Sequence, residues 1–161
     1  MLRAIWPEGE INPDIVMFFA KPARDGSEAP PHQDNAFQCW DPVLALAATI
    51  AIDASTPDNG ALICQAGSHR LGLLPHRQSG IQGFSRCMVD RVDEVGFPDV
   101  QLCMSPGDLL LHHINTVHRS GPNKLDRPRR QLGIAYRSSL AQRNAEAFAR
   151  YQEDLESLHE S

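Results

Sequence analysis

His32 and Asp34 stand two residues apart in Pro31-His32-Gln33-Asp34-Asn35, and His118 stands far downstream in Val117-His118-Arg119-Ser120-Gly121-Pro122-Asn123. In an extended segment successive side chains point to opposite faces, so His32 and Asp34 are expected to project together while Gln33 turns away. A second imidazole delivered from another strand completes a set of two nitrogens and one oxygen. Such a set holds ferrous iron while leaving coordination positions open for other ligands. It contains no thiolate, which argues against a structural zinc site. By itself, a His-x-Asp pair is also what an ordinary hydrogen-bonding pair looks like. Its meaning comes from the residues around it.

The elements that must position these side chains read mostly as strands. Ile15-Val16-Met17-Phe18-Phe19, within 14–20, is an apolar run of strand length and composition. A proline-rich loop from Lys21 to Pro31 then stiffens the approach to His32. Phe37-Gln38-Cys39-Trp40 is expected to continue extended. The run Val43 to Asp53 fits a buried helix by length and alanine content, but Thr49-Ile50-Ala51-Ile52 and the cluster Ser55-Thr56-Pro57-Asp58-Asn59-Gly60 favour a strand entering a tight reversal. Ala61 to Cys64 runs back as the next strand.

Arg70 to Val95 is a long excursion broken by Gly72, Pro75, Gly80 and Gly83, and it reads as a segment covering the substrate. Val100 to Met104 and Leu109 to His113 are expected to pair across the turn Ser105-Pro106-Gly107-Asp108. Gln131 to Arg137 alternates as a closing strand. Leu140 to His159 is the one helix, with Ala141, Ala145, Phe148, Tyr151 or Gln152, Leu155 and Leu158 on the stripe that packs against the sheet. About eight short antiparallel strands make a double-sheet jelly roll. Met1 to Pro13 reads as an irregular lead-in carrying Pro7, Gly9 and Pro13.

The 161 residues, 42% of them hydrophobic, fit one domain, with a core at about 14–139 and the helix at about 140–159. A net charge of −5 argues against binding nucleic acid by phosphate neutralisation. Arg127, Arg129 and Arg130 form a local cluster suited to a small anion. Cys39, Cys64, Cys87 and Cys103 show no Cys-x-x-Cys spacing, and Cys39, Cys64 and Cys103 read as small buried hydrophobes. The absence of a secretory signal and of any apolar run near the ~20 residues of a membrane span points to a reduced, cytoplasmic protein without a membrane partner.

Beyond the first pair stand Asp58-Asn59-Gly60-Ala61-Leu62, Gly67-Ser68-His69, Pro106-Gly107-Asp108, His118-Arg119-Ser120 and Arg127-Pro128-Arg129-Arg130. In order and approximate spacing, from about Val16 to about Ser138, these residues resemble the phytanoyl-CoA dioxygenase family of iron(II)- and 2-oxoglutarate-dependent oxygenases. The resemblance implies a double-stranded β-helix, a cupin-like jelly roll, with His32, Asp34 and His118 on Fe(II). It implies a hydroxylase that acts on a small organic substrate with dioxygen and converts 2-oxoglutarate to succinate. Because the carboxylate position is filled by Asp34, hydroxylation is expected rather than halogenation.

The resemblance also places Arg129, eleven residues after His118, on the distal carboxylate of 2-oxoglutarate. A guanidinium is a planar, permanently charged clamp for that group. Arg127 and Arg130 compete for the role, with Arg130 expected on the opposite face. Ser120 matches the family hydroxyl that assists cosubstrate binding, though a lone serine is equally a turn residue. Lys21, Gln33, Asn35, Phe37 and Trp40 are expected to border the pocket, with Phe37 and Trp40 reading equally as core residues and with Ile50 where relatives commonly carry an aromatic. His69 reads as structural, His112 and His113 as lacking the geometry to meet the carboxylate, and His76 and His159 as exposed. Relatives usually carry a further layer before the first core strand, and its apparent absence here is expected to leave a bare sheet face that invites homodimerisation or partial unfolding, or to mark the chain as a fragment. A cupin-like metal protein with non-oxidative activity, or an inactive shortened member serving as an interaction module, fits the same residues.

Overall fold

Two antiparallel four-stranded sheets dominate the computed structural model, which describes residues 2–5, 9–24, 26–81, 84–93 and 95–159. After a short helix α1 (Leu2–Ile5), the chain forms β1 (Ile11–Lys21), β2 (Ala29–His32), the helical turn α2 (Asn35–Gln38), β3 (Trp40–Asp41) and β4 (Ala45–Ala51). It continues through β5 (Leu62–Gln65), β6 (His76–Ile81), β7 (Phe84–Met88), β8 (Asp99–Leu102) and β9 (Leu109–His113). Last come β10 (His118–Ser120), β11 (Arg129–Ser138), β12 (Gln142–Arg143) and α3 (Ala145–His159). The larger sheet has the order β1-β11-β4-β9 and the smaller β2-β10-β5-β8, while β6 and β7 form a separate hairpin. This is the mainly β jelly roll with a C-terminal helix that the pattern of short apolar runs implies. Pro7, Gly83 and the side chains of Leu158 and His159 lie outside the described residues.

Several local expectations are overturned. The β4 and β5 runs do not make a hairpin: β4 pairs with β11 and β9, whereas β5 pairs with β10 and β8. Likewise β8 and β9 lie in different sheets, so the turn Ser105–Asp108 is a crossing and not a reversal. A turn signal marks where the chain bends, but partner choice is set by which faces must be buried together. Gly60 still needs its hydrogen, with φ at 78° and room so tight that a Cβ there would stand only 2.3 Å from the Gly121 carbonyl oxygen.

β1 begins at Ile11 and not at Asp14, because Pro13 is tolerated on an edge strand and a register shift between Pro13 and Ile15 absorbs it. On the outward face of this strand Val16 and Phe18 are 64% and 61% exposed. The segment after Asp34 does not stay extended. Asn35 accepts from the Trp40 N–H at 2.8 Å and donates to its carbonyl at 3.2 Å, closing a helical turn that ends with Cys39 at φ 57°.

The final helix starts at Ala145 and not Leu140, since Asn144 caps it through the Ala147 N–H at 3.0 Å while Gln142 and Arg143 pair with β3. It does not lie on a four-stranded sheet. Arg86 on β7 meets Asp154 at 2.5 Å and covers the Tyr151 ring at 4.8 Å, and Gln78 donates to Ser157 at 2.9 Å. Among the described residues no helix is long and apolar enough to cross a membrane.

Trp40, Ala45, Ile114 and Ala141 form a buried core cluster backed by Val43, Leu44 and Ala47. Arg137 and Arg143 cover Trp40 at 4.8 and 4.4 Å, so this tryptophan is a core residue. Cys103 is exposed, contrary to its expected burial, while Cys39, Cys64 and Cys87 are buried. Asn123, 1% exposed, ties three segments together: its amide donates to the carbonyls of Lys21, Pro22 and Arg127 and its oxygen accepts from the Leu125 N–H. Asn123→Ala strands those groups and is expected to lower the unfolding free energy by about 2–3 kcal/mol, read as an earlier midpoint in urea unfolding.

Candidate metal centre

β2 and β10 are antiparallel neighbours in a register that sets His32 opposite His118. Their ring centroids lie 4.1 Å apart, and Nε2 of each approaches Asp34 Oδ1, at 3.7 Å from His32 and 3.6 Å from His118. The candidate ligand atoms of His32, Asp34 and His118 all fall within 4.8 Å of one another. His32 and Asp34 converge for a different reason than strand alternation. Asp34 has already left the strand, with φ −58° and ψ −31° at the head of α2, so the chain curls its carboxylate back toward the imidazoles.

The tautomers are set by backbone. His32 Nδ1 donates to the Pro30 carbonyl at 2.8 Å, and His118 Nδ1 donates to the Thr116 carbonyl at 2.9 Å. Each Nε2 therefore keeps a lone pair directed at the common point, as a metal ligand requires. Burial, aided by His118, pushes His32 down to about 3, so the ring is neutral near pH 7. Burial works to raise Asp34, but the His118, His112 and His32 imidazoles more than offset it, leaving the carboxyl below its ordinary value. Two imidazoles and one carboxylate on a buried, one-sided cluster fit a divalent cation of the iron type.

His112 corrects an expectation. It lies on the inward face of β9, with Nε2 4.0 Å from Asp34 Oδ2 and its ring 4.8 Å from His118. Burial and then His118 lower it to about 4. His76 is half-buried and not exposed, its Nε2 accepting from the Gln33 N–H at 3.1 Å. His69 and His113 stack at 5.4 Å away from the cluster, and His113 Nδ1 accepts from the Asn115 N–H, a structural arrangement.

The metal-type cluster opens into a cavity of about 360 Å³ between the sheets, also lined by Phe84, Ser120, Arg129 and Gln131. Arg129 is 5% exposed and faces inward, while Arg130 turns out to pair with Asp53 at 2.7 Å. Among the described residues no carboxylate forms an ion pair with Arg129. Lys21 lines the cavity beside it, opposite Arg129 in the β1–β11 register, and donates to the carbonyls of Ser27 and Gly121 at 2.5 and 2.8 Å. Burial and then the Arg129 charge lower Lys21 to about 8. Phe37 packs edge-on to His32 at 5.8 Å, behind the ligand and off the cavity wall. Ala47, Ala48 and Thr49, not Ile50, supply the β4 wall.

Gln33 and Asn35 are buried fasteners and not pocket-lining residues. Gln33, 0% exposed, donates to the carbonyls of Gly72 and Asn115 at 2.8 and 2.6 Å and accepts from the Leu74 N–H at 2.8 Å. It thus bolts the His32–Asp34 segment to the turn that delivers His118. Sequence reasoning missed Gln33, His112 and Gln131 in these roles. Period-two alternation about His113 and Arg129 held a usable signal for the last two, while Gln33 depends on long-range contacts that local pattern does not contain.

A sequence profile described as phytanoyl-CoA dioxygenase (PhyH) matches residues 2–131. A methylphosphonate hydroxylase of Gimesia maris is 36% identical over 88 residues, covering 55% of this chain and 31% of that protein. A probable alpha-ketoglutarate-dependent hypophosphite dioxygenase of Stutzerimonas stutzeri is 34% identical over 113 residues, covering 68% of this chain and 40% of that protein. The apo structure of the non-heme monooxygenase ThoJ superposes with a TM-score of 0.76 at 26% identity, over 89% of this chain and 52% of that one. The chain thus spans less than half the length of these curated relatives.

With the donors held this way, Mn(II) as a stand-in for Fe(II) should bind the wild-type chain and fail to bind Asp34→Ala in calorimetric titration. Gln33→Ala, which leaves all three donors in place but unbolts their segments, is expected to weaken Mn(II) binding about 10–100-fold.

Proposed function

Because the chain belongs to the phytanoyl-CoA dioxygenase family, we propose that it is an iron(II)- and 2-oxoglutarate-dependent dioxygenase that hydroxylates a small organic substrate. Fe(II) is held by His32, Asp34 and His118, and 2-oxoglutarate is held through Arg129 with help from Ser120. When bound, the metal supplies the dioxygen chemistry that couples decarboxylation of 2-oxoglutarate, giving succinate and carbon dioxide, to hydroxylation of the substrate. One observation carries this reading: the three-donor cluster and a buried arginine with no carboxylate ion pair among the described residues share a single cavity.

Each side chain has a physical task. His32 and His118 present fixed Nε2 lone pairs, and Asp34 supplies the anionic donor. Arg129, always charged and lowered only by burial, supplies the positive end that a dicarboxylate needs. Phe84 stacks edge-on against His32 at 4.5 Å and keeps water from that side of the ligand. The relatives named for methylphosphonate and hypophosphite and those named for phytanoyl-CoA support oxidation of a small or thioester-linked target. The four unpaired thiols suit a reducing cytoplasmic setting.

Anaerobic protein given Fe(II) and 2-oxoglutarate is expected to develop a weak visible charge-transfer band, and in air to release succinate. Metal binding without either signal would favour non-oxidative chemistry and sink the proposal. Arg129→Met should weaken 2-oxoglutarate binding by about 100-fold, as loss of a bidentate charged contact implies, with Mn(II) affinity unchanged.

Lys21 adds a pH dependence whose sign follows from its proton. The free chain loses the Lys21 charge as pH rises through about 8, while a bound dianion favours the charged form. Binding therefore takes up a proton in that window, and 2-oxoglutarate affinity should fall as pH rises above about 8. In Lys21→Met this fall should disappear from the calorimetric affinity profile.

A further inference from the structure

The donors of Arg129 are only partly used. Its Nε–H donates to the Asn59 carbonyl at 3.2 Å, and one Nη1–H donates to the Gln131 Oε1 oxygen. The remaining Nη hydrogens are left for a ligand. Arg129 is donor-only, so it fixes the orientation of the Gln131 amide: oxygen toward the guanidinium, nitrogen away from it.

That nitrogen is the unexplained group. Gln131 is 5% exposed and lines the cavity, and its Nε2 is buried with no hydrogen-bond partner among the described residues. A buried amide donor left unmade is unfavourable, and native proteins rarely keep one without reason. The strand around it leaves little alternative direction. Residues 129, 131, 133 and 135 of β11 all line the cavity, and the Phe19 ring presses on Gly133, where a Cβ would stand 2.5 Å from Phe19 Cε2. Phe19 is also the cross-strand partner of Gln131, so the amide is walled in along the sheet and faces the cavity.

We propose that Gln131 is a further cosubstrate-binding residue, which donates from Nε2 to the same distal carboxylate that Arg129 clamps. The proposal rests on the 2-oxoglutarate reading and deepens it. A carboxylate is acceptor-only and planar with two oxygens, so it satisfies both the free guanidinium edge and the amide nitrogen. Gln131 Oε1 holds the guanidinium in place while Nε2 completes the donor set, and the pair together sets the preference for a 2-oxo diacid over a 2-oxo monoacid. The neutral amide adds a donor without adding a third charge beside Arg129 and Lys21.

The test is calorimetric titration of Mn(II)-loaded protein with 2-oxoglutarate and with 2-oxopentanoate, which has the same carbon chain without the distal carboxylate. Gln131→Leu removes both the donor and the acceptor. Gln131→Glu has the same shape, keeps an oxygen for Arg129 and sets a negative charge where the donor was. Both variants should weaken 2-oxoglutarate binding by about 10-fold or more, the scale of one hydrogen bond to a charged group, with Gln131→Glu the weaker binder. Binding of Mn(II) and of 2-oxopentanoate should stay within twofold of wild type. Unchanged 2-oxoglutarate affinity in either variant overturns the proposal, and so does an equal loss for both oxo acids, which would mark a merely structural role. If the wild-type protein itself takes up Mn(II) but not 2-oxoglutarate, the dioxygenase reading falls first and this one with it.

Discussion

The antiparallel register of β2 against β10 is the constraint on which the centre depends. It places His32 opposite His118, and a slip of one residue would turn one imidazole to the far side of the sheet. Register alone would leave both rings free to rotate. The carbonyls of Pro30 and Thr116, each two residues before the histidine it receives, fix ring orientation and tautomer together. The same local device thus appears on two strands. Gln33 then adds a long-range tie through the Asn115 carbonyl, so the two halves of the donor set cannot drift apart without breaking a fully buried amide network.

A second route of support reaches His32 from the end of the chain. Tyr151 of α3 packs edge-on to Phe37 at 5.8 Å, Phe37 does the same to Phe84, and both phenyl rings meet the His32 imidazole. Arg86 holds this stack, binding Asp154 on the helix and donating to the Ala36 carbonyl at 2.7 Å. The helix therefore serves the centre through Tyr151 against Phe37 of α2, with Arg86 and Gln78 of the β6–β7 hairpin holding it there, and not by covering a four-stranded sheet. Its amphipathic stripe announced a buried face, but which surface that face would meet was not contained in the helix itself.

That distinction marks what could be read in advance. The strands of the larger sheet were legible from local alternation, whereas the meeting of His32, Asp34 and His118 and the choice of Arg129 were expected from the resemblance, with alternation adding only that Arg129 faces in while Arg130 pairs with Asp53 outside. Partner choice was not legible. Asn59-Gly60 and Pro106-Gly107 are good turns in either topology, and only the joint burial of two sheets decides that each turn crosses between them. Asp34 illustrates a third case: its convergence with His32 was expected from a strand, but arises from a helical turn stabilised by Asn35 and Trp40. The correct meeting point was reached through the wrong backbone.

The cavity also tolerates a concentration of its own charge. Arg129 is buried with no carboxylate ion pair among the described residues, and Lys21 lies across the strand pair from it, its proton held less tightly because of burial first and the Arg129 charge second. Two like charges in a poorly solvated space oppose folding, and the fold contains a less costly solution, since Asp53 and Asp99 already neutralise Arg130 and Arg119 outside. Placing such an aspartate in the cavity would relieve the repulsion and at the same time occupy the position that an incoming anion needs. The pair, offset only in part by Glu28 on the cavity wall, is intelligible under the proposed function as stored complementarity: free energy withheld from folding would be returned on entry of a dicarboxylate, and the same charge would separate that dicarboxylate from the many neutral molecules of similar size.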